Sequence, residues 1–227
     1  MNGHRQPLPD PDDDVEPTPD VVAARRAGAA GRRLLLGLIA SRAPVEVLDG
    51  VADELGAIAD RLQPYAVRSR YDGTAGIAVA SGGIHNARVV EHHLLLGSAN
   101  PLAPPLTAER YDDGTVRATV SYDLRYEGMP GWVHGGAIAL AFDLILGLAA
   151  GWVAQRPSMT GTLTLKYRQP SRLWTELVYE AKAEPVGTRT IRSTGTLAGP
   201  DGVCAEADGI WVKAKTETMP AVEPGIE

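Results

Sequence analysis

The sequence predicts an α+β domain in which an antiparallel β-sheet wraps around one long central helix. The stretch 128–152, GMPGWVHGGAIALAFDLILGLAAGW, is a turn followed by a long apolar run that carries one charge, Asp143. Segments of alternating apolar and polar residues lie before and after this run, which is typical of half-buried strands. A sheet wrapped around the helix is the economical way to bury a helix that is apolar on every side.

The central helix is predicted from composition and from its start. Ala and Leu, which favour helices, dominate the run, and apolar residues occur all the way round it, as in a buried helix. The Pro/Gly turn before it predicts a helix start near His134–Gly136. The first N–H groups of a helix have no intrahelical acceptor and lie at the positive end of its dipole, where they could hold a developing oxyanion.

Five segments are predicted as strands. Asp112-Asp113-Gly114 predicts a hairpin turn before the first of them. Thr115–Arg125 then places Val116, Ala118, Val120 and Tyr122 on one face. The four strands after the helix are predicted over Met159–Arg168, Thr175–Glu184, Thr188–Ala198 and Val203–Lys213, with a tight turn at 199–202 joining the last two.

The 227 residues suit one domain with extensions. Residues 1–20 contain five prolines and almost nothing to bury, and we predict that they are disordered. Residues 21–64 predict a helical hairpin that breaks at Ala43-Pro44 and ends at Pro64. The main domain is expected over 65–215, followed by a flexible tail over 216–227.

Asp143 is the candidate catalytic group. A carboxylate on an apolar helix is costly to bury unless it is paired or functional, and desolvation makes it a stronger base. The alternative is a structural Asp hydrogen-bonded to a neighbouring strand, and the spacing leaves both open. Asp143 follows Gly135 by eight residues, which is about 12 Å along one helix. We therefore expect a homodimer, or a dimer of dimers, in which two antiparallel helices share sites, with Gly135 of one facing Asp143 of the other.

The motif HGGAIALAFD, residues 134–143, resembles the helix motif of hotdog-fold acyl-CoA thioesterases of the phenylacetate-degradation type and the thioesterase-superfamily branch. The resemblance continues through Thr160-Gly161-Thr162-Leu163 and Tyr167-Arg168-Gln169-Pro170, and it covers roughly Thr115–Lys213. It implies a hotdog fold and the hydrolysis of a fatty or aryl acyl-CoA in lipid metabolism, without a cofactor beyond the CoA of the substrate.

The resemblance also implies roles for single residues. Asp143 would be general base or nucleophile, the Gly135 N–H would polarise the thioester carbonyl, and Thr160 would orient the water. Some relatives carry Asn or Gln six residues before the His, where this chain has Gly128. His134 either helps to shape the site or caps the helix.

Further residues are assigned to substrate binding. Gly136 and Gly161 are expected there because glycines permit close approach of another molecule. CoA phosphates require cations, and the alternative for each cation is a solvated strand face. The candidates are Lys166, Arg168, Arg172, Arg189 and Arg192.

Two other functions fit the same architecture. A non-catalytic, regulatory acyl-CoA-binding protein is possible, although such a protein has little use for a carboxylate at position 143. A hydratase would carry a His shortly after the Asp, and no His lies four to six residues beyond Asp143.

Composition narrows the remaining classes. A net charge of −6 and a pI near 5.4 disfavour a nucleic-acid surface. The single Cys204 and the lack of an apolar run after the basic N-terminal residues favour the cytoplasm. Ala137–Ala154 is long enough to span a membrane, but Asp143 and the strands that follow favour a core helix. His92-His93 lack the further ligands that a metal site requires, so no metal is expected.

Overall fold

The structure is a computed structural model that describes residues 5–7, 17–67, 90–155 and 158–214. Three helices lie wholly within these residues, and they are α1 (Pro19–Ala40), α2 (Val45–Leu62) and α3 (Gly135–Ala154). The strands are β1 (Arg5–Pro7), β2 (Thr107–Tyr111), β3 (Val116–Ser121), β4 (Ser158–Tyr167), β5 (Glu176–Pro185), β6 (Thr190–Gly199) and β7 (Gly202–Lys213). Short 3₁₀ turns occupy Gln63–Tyr65 and Leu124–Tyr126.

The strands form one antiparallel sheet in the order β1-β2-β3-β5-β6-β7-β4. Helix α3 packs against β3 through β7. The predicted architecture, an antiparallel sheet around a long central helix, is therefore confirmed, and it is the hotdog fold. Strand β4 lies at one edge of this sheet.

Aromatic residues fill the core between α3 and the sheet. Phe142 lies edge-on to Tyr179, with the ring centroids 5.0 Å apart. The hydroxyl groups of Tyr122 and Tyr179 share a hydrogen bond of 3.1 Å inside the core. The predicted inner face of the strand before the helix is buried as expected, with Val116, Ala118, Val120 and Tyr122 at most 2% exposed.

The expectation that α3 is buried on every side is wrong for the single chain, because the sheet covers one side of it. The buried residues are Ile138, Ala141, Phe142, Ile145, Leu146, Ala149, Ala150 and Ala154. On the other side, Leu140 is 41% and Trp152 47% exposed.

By length and composition alone α3 could cross a membrane, since its mean hydropathy is 2.0. Its packing against five strands is that of a core helix.

Helix α1 is anchored to the loop before β2. Gly28 is buried against this loop, and a Cβ at that position would lie 2.6 Å from the carbonyl group of Ala99. Arg25 forms an ion pair with the buried Glu91, and Arg32 donates to the carbonyl oxygens of Ser98 and Asn100 at 2.8 and 3.0 Å. Helix α2 has no buried residue.

The N-terminal segment and the strand before α3 differ from the prediction. Arg5–Pro7, within the segment predicted to be disordered, pair with β2 as strand β1, and Pro19 begins α1. The predicted strand Thr115–Arg125 ends at Ser121 because a 3₁₀ turn takes over at Leu124. The predicted tail over 216–227 and the remainder of 1–16 lie outside the described residues.

Candidate active site

The start of α3 presents one backbone donor. His134 is the N-cap residue, and its carbonyl oxygen accepts from the N–H groups of Ala137 and Ile138 at 2.9 and 3.3 Å. Its ring Nδ1 accepts from the Gly136 N–H at 2.9 Å. Within the described part of the chain, the Gly135 N–H donates to no acceptor. The helix therefore begins where the Pro/Gly turn predicted, with the Gly135 N–H unused.

The contact of His134 determines which ring nitrogen carries the proton. Because Nδ1 accepts a hydrogen bond from Gly136, the neutral ring is protonated at Nε2. His134 therefore caps the helix, which was one of its two predicted roles, and it keeps an exposed N–H donor beside the helix start.

Gly128 packs against His134. A Cβ at Gly128 would lie 2.9 Å from His134 Cα and 3.3 Å from its Cβ. A larger residue at position 128 would require the helix start to shift. Position 128 therefore supplies no side chain that could position a carbonyl or a water.

Asp143 lies in the middle of α3 and accepts a hydrogen bond from a strand. Thr160 Oγ1 donates to Asp143 Oδ1 at 2.8 Å. The carboxylate is half-buried, and its Oδ2 has no hydrogen-bond partner among residues 17–67, 90–155 and 158–214. The strand contact matches the predicted structural alternative, while the unused oxygen and the partial exposure leave Asp143 able to contact a substrate or a water.

A β-bulge in β4 brings Thr160 to Asp143. Leu163 is half-buried towards α3, and strict alternation would place Gly161, two residues earlier, on the same face. The register of β4 against β7 shifts between Thr160 and Thr162, so one extra residue is inserted there. The insertion turns Thr160 to the helix side of the sheet. A Cβ at Gly161 would lie 3.2 Å from the Ile210 carbonyl oxygen, so the bulge itself favours glycine.

Tyr167 is a contact that sequence reasoning did not assign to the site. Its hydroxyl group donates to the Gly135 carbonyl oxygen at 2.8 Å, at the opposite end of β4 from Thr160. The signal was present in the sequence, because Tyr167 alternates in phase with Leu163 and Leu165 and belongs to the Tyr-x-x-Pro pattern. Partial burial raises the pKa of this tyrosine.

The single chain does not bring its two key groups together. Gly135 and Asp143 are on one helix, about 12 Å apart along its axis. Thr160 lies beside Asp143, whereas His134, Gly136 and Tyr167 lie beside Gly135. A thioester carbonyl at Gly135 is thus out of reach of the carboxylate of the same chain.

Four of the five candidate phosphate-binding cations have protein partners. Arg168 pairs with Glu206 at 2.6 Å, which lowers the pKa of that carboxyl group. Lys166 alternates with Leu165 and Tyr167 and therefore lies on the outer face of the sheet, away from α3. The other three also have partners: Arg192 pairs with Asp208, Arg172 with Asp201 at 3.4 Å, and Arg189 donates to the Lys213 carbonyl oxygen. These contacts match the solvated-face alternative.

The side chains of His93 and Cys204 contact the backbone of nearby residues. His93 Nδ1 accepts from the backbone N–H groups of Leu95 and Leu96. The part of the chain that the structure describes contains no cluster of three His, Cys, Asp or Glu residues suited to a metal ion. Cys204 is a buried thiol next to the Gly202 carbonyl oxygen.

Comparisons with known proteins support the fold. The crystal structure of a thioesterase superfamily protein is 33% identical in sequence, covers 83% of this chain and 94% of its own, and superposes with a TM-score of 0.68. Mouse acyl-coenzyme A thioesterase THEM4 is 29% identical over 96 residues, which is 41% of this chain and 41% of the mouse protein. The rat THEM4 protein is 32% identical over 78 residues, 34% of this chain and 33% of that protein. No protein-family model matches.

The crystallised relative is 33% identical and aligns over 94% of its own length, which is enough to show the family of this chain. This chain belongs to the thioesterase superfamily. The aligned part spans about two fifths or less of the curated THEM4 proteins.

Proposed function

We propose that this chain hydrolyses acyl-CoA thioesters to the free acid and CoA. One observation carries the proposal: the half-buried Asp143 carboxylate accepts from Thr160 and keeps one oxygen unused, at the positions where the family motif has its acidic and hydroxyl residues. The unused Gly135 N–H at the start of the same helix supplies an oxyanion donor. Membership of the thioesterase superfamily supports the same reaction.

In this mechanism Asp143 removes a proton from a water held beside Thr160. The water oxygen attacks the thioester carbonyl carbon, and the carbonyl electron pair moves to the oxygen held by the Gly135 N–H. When the intermediate collapses, the C–S bond breaks and the CoA thiolate leaves and takes up a proton. If Asp143 attacks directly, a mixed anhydride forms and water then hydrolyses it to the same products.

We further propose that two copies of the chain share each site. The distance along α3 requires the Gly135 N–H and the Asp143 carboxylate of one site to come from different chains. The uncovered side of α3 is apolar and includes Leu140, which is 41% exposed and close in sequence to Asp143. A Cβ at Gly151 on this helix would meet nothing within 4 Å, so a second helix could approach closely there. An antiparallel pair of α3 helices would cover this side and complete two equivalent sites.

The acyl group is proposed to be fatty or aryl and the location cytoplasmic. The second candidate function is non-catalytic binding of acyl-CoA. The ion pairs of Arg168 with Glu206 and of Arg192 with Asp208 give no independent support for that alternative, because each cation already has a carboxylate partner.

The test is release of free thiol from a panel of straight-chain and aryl acyl-CoA substrates. We expect wild-type activity on part of the panel and a fall in kcat of at least about a hundredfold for Asp143→Asn, the usual scale for loss of a general base. Asp60→Asn is the matched control, since this exposed aspartate lies on α2, which has no buried residue. Binding of acyl-CoA by the wild type without thiol release would favour the non-catalytic alternative.

A further inference from the structure

Tyr167 holds the helix start through the carbonyl group of the glycine that carries the unused N–H. The Tyr167 hydroxyl donates to the Gly135 carbonyl oxygen at 2.8 Å. On the other side of the same peptide group, the Gly136 N–H donates to His134 Nδ1 at 2.9 Å. The Gly135–Gly136 peptide group is thus fixed at both its oxygen and its nitrogen.

The preceding peptide group is fixed as well. The His134 carbonyl oxygen accepts from the N–H groups of Ala137 and Ile138, and the Gly135 N–H is the opposite pole of that peptide group. The direction of this N–H therefore depends on the two peptide groups that flank Gly135. Glycine alone would leave this direction poorly determined, because it has no Cβ to restrict its backbone.

Tyr167 also occupies the space that a side chain at position 135 would need. A Cβ on Gly135 would lie 3.3 Å from both Cζ and the hydroxyl oxygen of Tyr167. Because Gly135 has no Cβ, the Tyr167 ring can lie against its backbone. The ring and its hydrogen bond then restrict the backbone conformation of Gly135, which a Cβ would otherwise do. Since β4 runs along α3 with Thr160 towards one end and Tyr167 at the other, one strand contacts both Asp143 and the start of the helix.

We propose that Tyr167 is a positioning residue, which aims the Gly135 N–H at the thioester oxygen by hydrogen bonding the Gly135 carbonyl group. The proposal rests on the proposed function for its catalytic part. The hydroxyl group does not contact the substrate in this account. It acts through the backbone, so its loss lowers kcat while KM stays nearly constant.

The first readout does not depend on activity. Glycine labelled with ¹³C at the carbonyl carbon and with ¹⁵N gives a carbonyl-to-amide NMR correlation for each Gly-Gly pair, and the sequence has two, 82–83 and 135–136. A Gly83→Ala variant identifies which signal is which. In Tyr167→Phe the 135–136 signal is expected to move while the 82–83 signal stays. Tyr65→Phe, which removes a hydroxyl from an 81% exposed tyrosine, is the matched control.

The second readout is the kinetics of the same variants. Tyr167→Phe is expected to lower kcat about tenfold or more, as small misplacements of a catalytic group do, with KM within about twofold of wild type. An unmoved 135–136 signal, or a moved signal with unchanged kcat, would overturn the proposal. If the 135–136 signal moves in Tyr167→Phe but the wild-type protein releases no thiol, the proposed function and the positioning role are both wrong. The hydrogen bond from Tyr167 to Gly135 is still established by the moved signal.

Discussion

Thr160 Oγ1 lies 2.8 Å from Asp143 Oδ1 and donates a hydrogen bond to it, across the junction between the edge strand and the central helix. One carboxylate oxygen is thereby fixed and the other is left for water. A hydrogen bond from a hydroxyl group fixes the carboxylate orientation without neutralising its charge. Asp143 therefore bonds to a strand through one oxygen and can act as a base through the other. The structural and the catalytic interpretations of Asp143 are compatible.

Thr160→Val is expected to lower kcat for thiol release about tenfold, because the methyl group keeps the volume while the donor to Asp143 is lost. Thr160→Ser keeps the hydroxyl group and is expected to stay within about threefold of wild type. Thr162→Val, on the outer face of the same strand, serves as control. Equal activities for the Thr160 variants would argue against a role for this hydrogen bond.

The anchoring of α1 is testable with two glycines of one helix. Gly28→Ala places a methyl group 2.6 Å from the Ala99 carbonyl group, and we expect it to reduce the free energy of unfolding by about 1–3 kcal/mol. Gly37→Ala has nothing within 4 Å and is expected to stabilise by up to about 1 kcal/mol, the helix preference of Ala over Gly. Chemical denaturation of both variants checks this, and a Gly28→Ala protein as stable as Gly37→Ala would refute the docking.

The buried tyrosine pair predicts a loss of stability in alkali. Burial raises the pKa of Tyr122 to about 12, whereas an unfolded tyrosine titrates near 10. The folded state therefore keeps a proton that the unfolded state loses. The contribution of Tyr122 to the free energy of unfolding is therefore fully present below about pH 10 and falls by about 2–3 kcal/mol as the pH rises through 12.

Denaturation measured between about pH 9 and 11 checks this linkage. Tyr122→Phe is expected to have a shallower decline than wild type, because the proton that Tyr122 retains on folding is gone. It also leaves the Tyr179 hydroxyl without its partner, which lowers stability equally at every pH below that range. Parallel curves for the two proteins would show that Tyr122 is not the group responsible.

The sheet and the central helix could be predicted because their patterns are local. Alternation predicted the four strands after α3, and the Pro/Gly turn predicted the helix start near His134–Gly136, where α3 begins at Gly135. Strand β1 was missed because the proline-rich composition of 1–20 favours disorder, and three residues are too few to produce a pattern. The burial of α3 on all sides was overestimated, since periodicity does not say whether a sheet or a second chain covers a face.

The candidate site was predictable from motif residues but not in its contacts. Strict alternation places Thr160 with Thr162 and Thr164 on the outer face, and a one-residue bulge at Gly161 reverses this. No local pattern distinguishes that glycine from one in a regular strand. The partners of the cations, such as Glu206 for Arg168, depend on strand register, which sequence alone leaves open.

Removing the Gly135 N–H requires a substitution that the helix tolerates. Proline is favoured at the first position of a helix, and the extended backbone of His134 suits a residue before proline. Gly135→Pro therefore deletes the donor, while Gly135→Ala adds a Cβ beside Tyr167 and keeps the N–H. We expect thiol release to fall by about a hundredfold in the proline variant and much less in the alanine variant.

The most direct test of a shared site joins one Asp143→Asn chain to one Gly135→Pro chain, co-expressed with different tags and purified as a heterodimer. If Asp143 and Gly135 of one site come from different chains, one of the two sites is intact and about half of wild-type activity returns. Activity no higher than that of the two mutant homodimers would contradict the account.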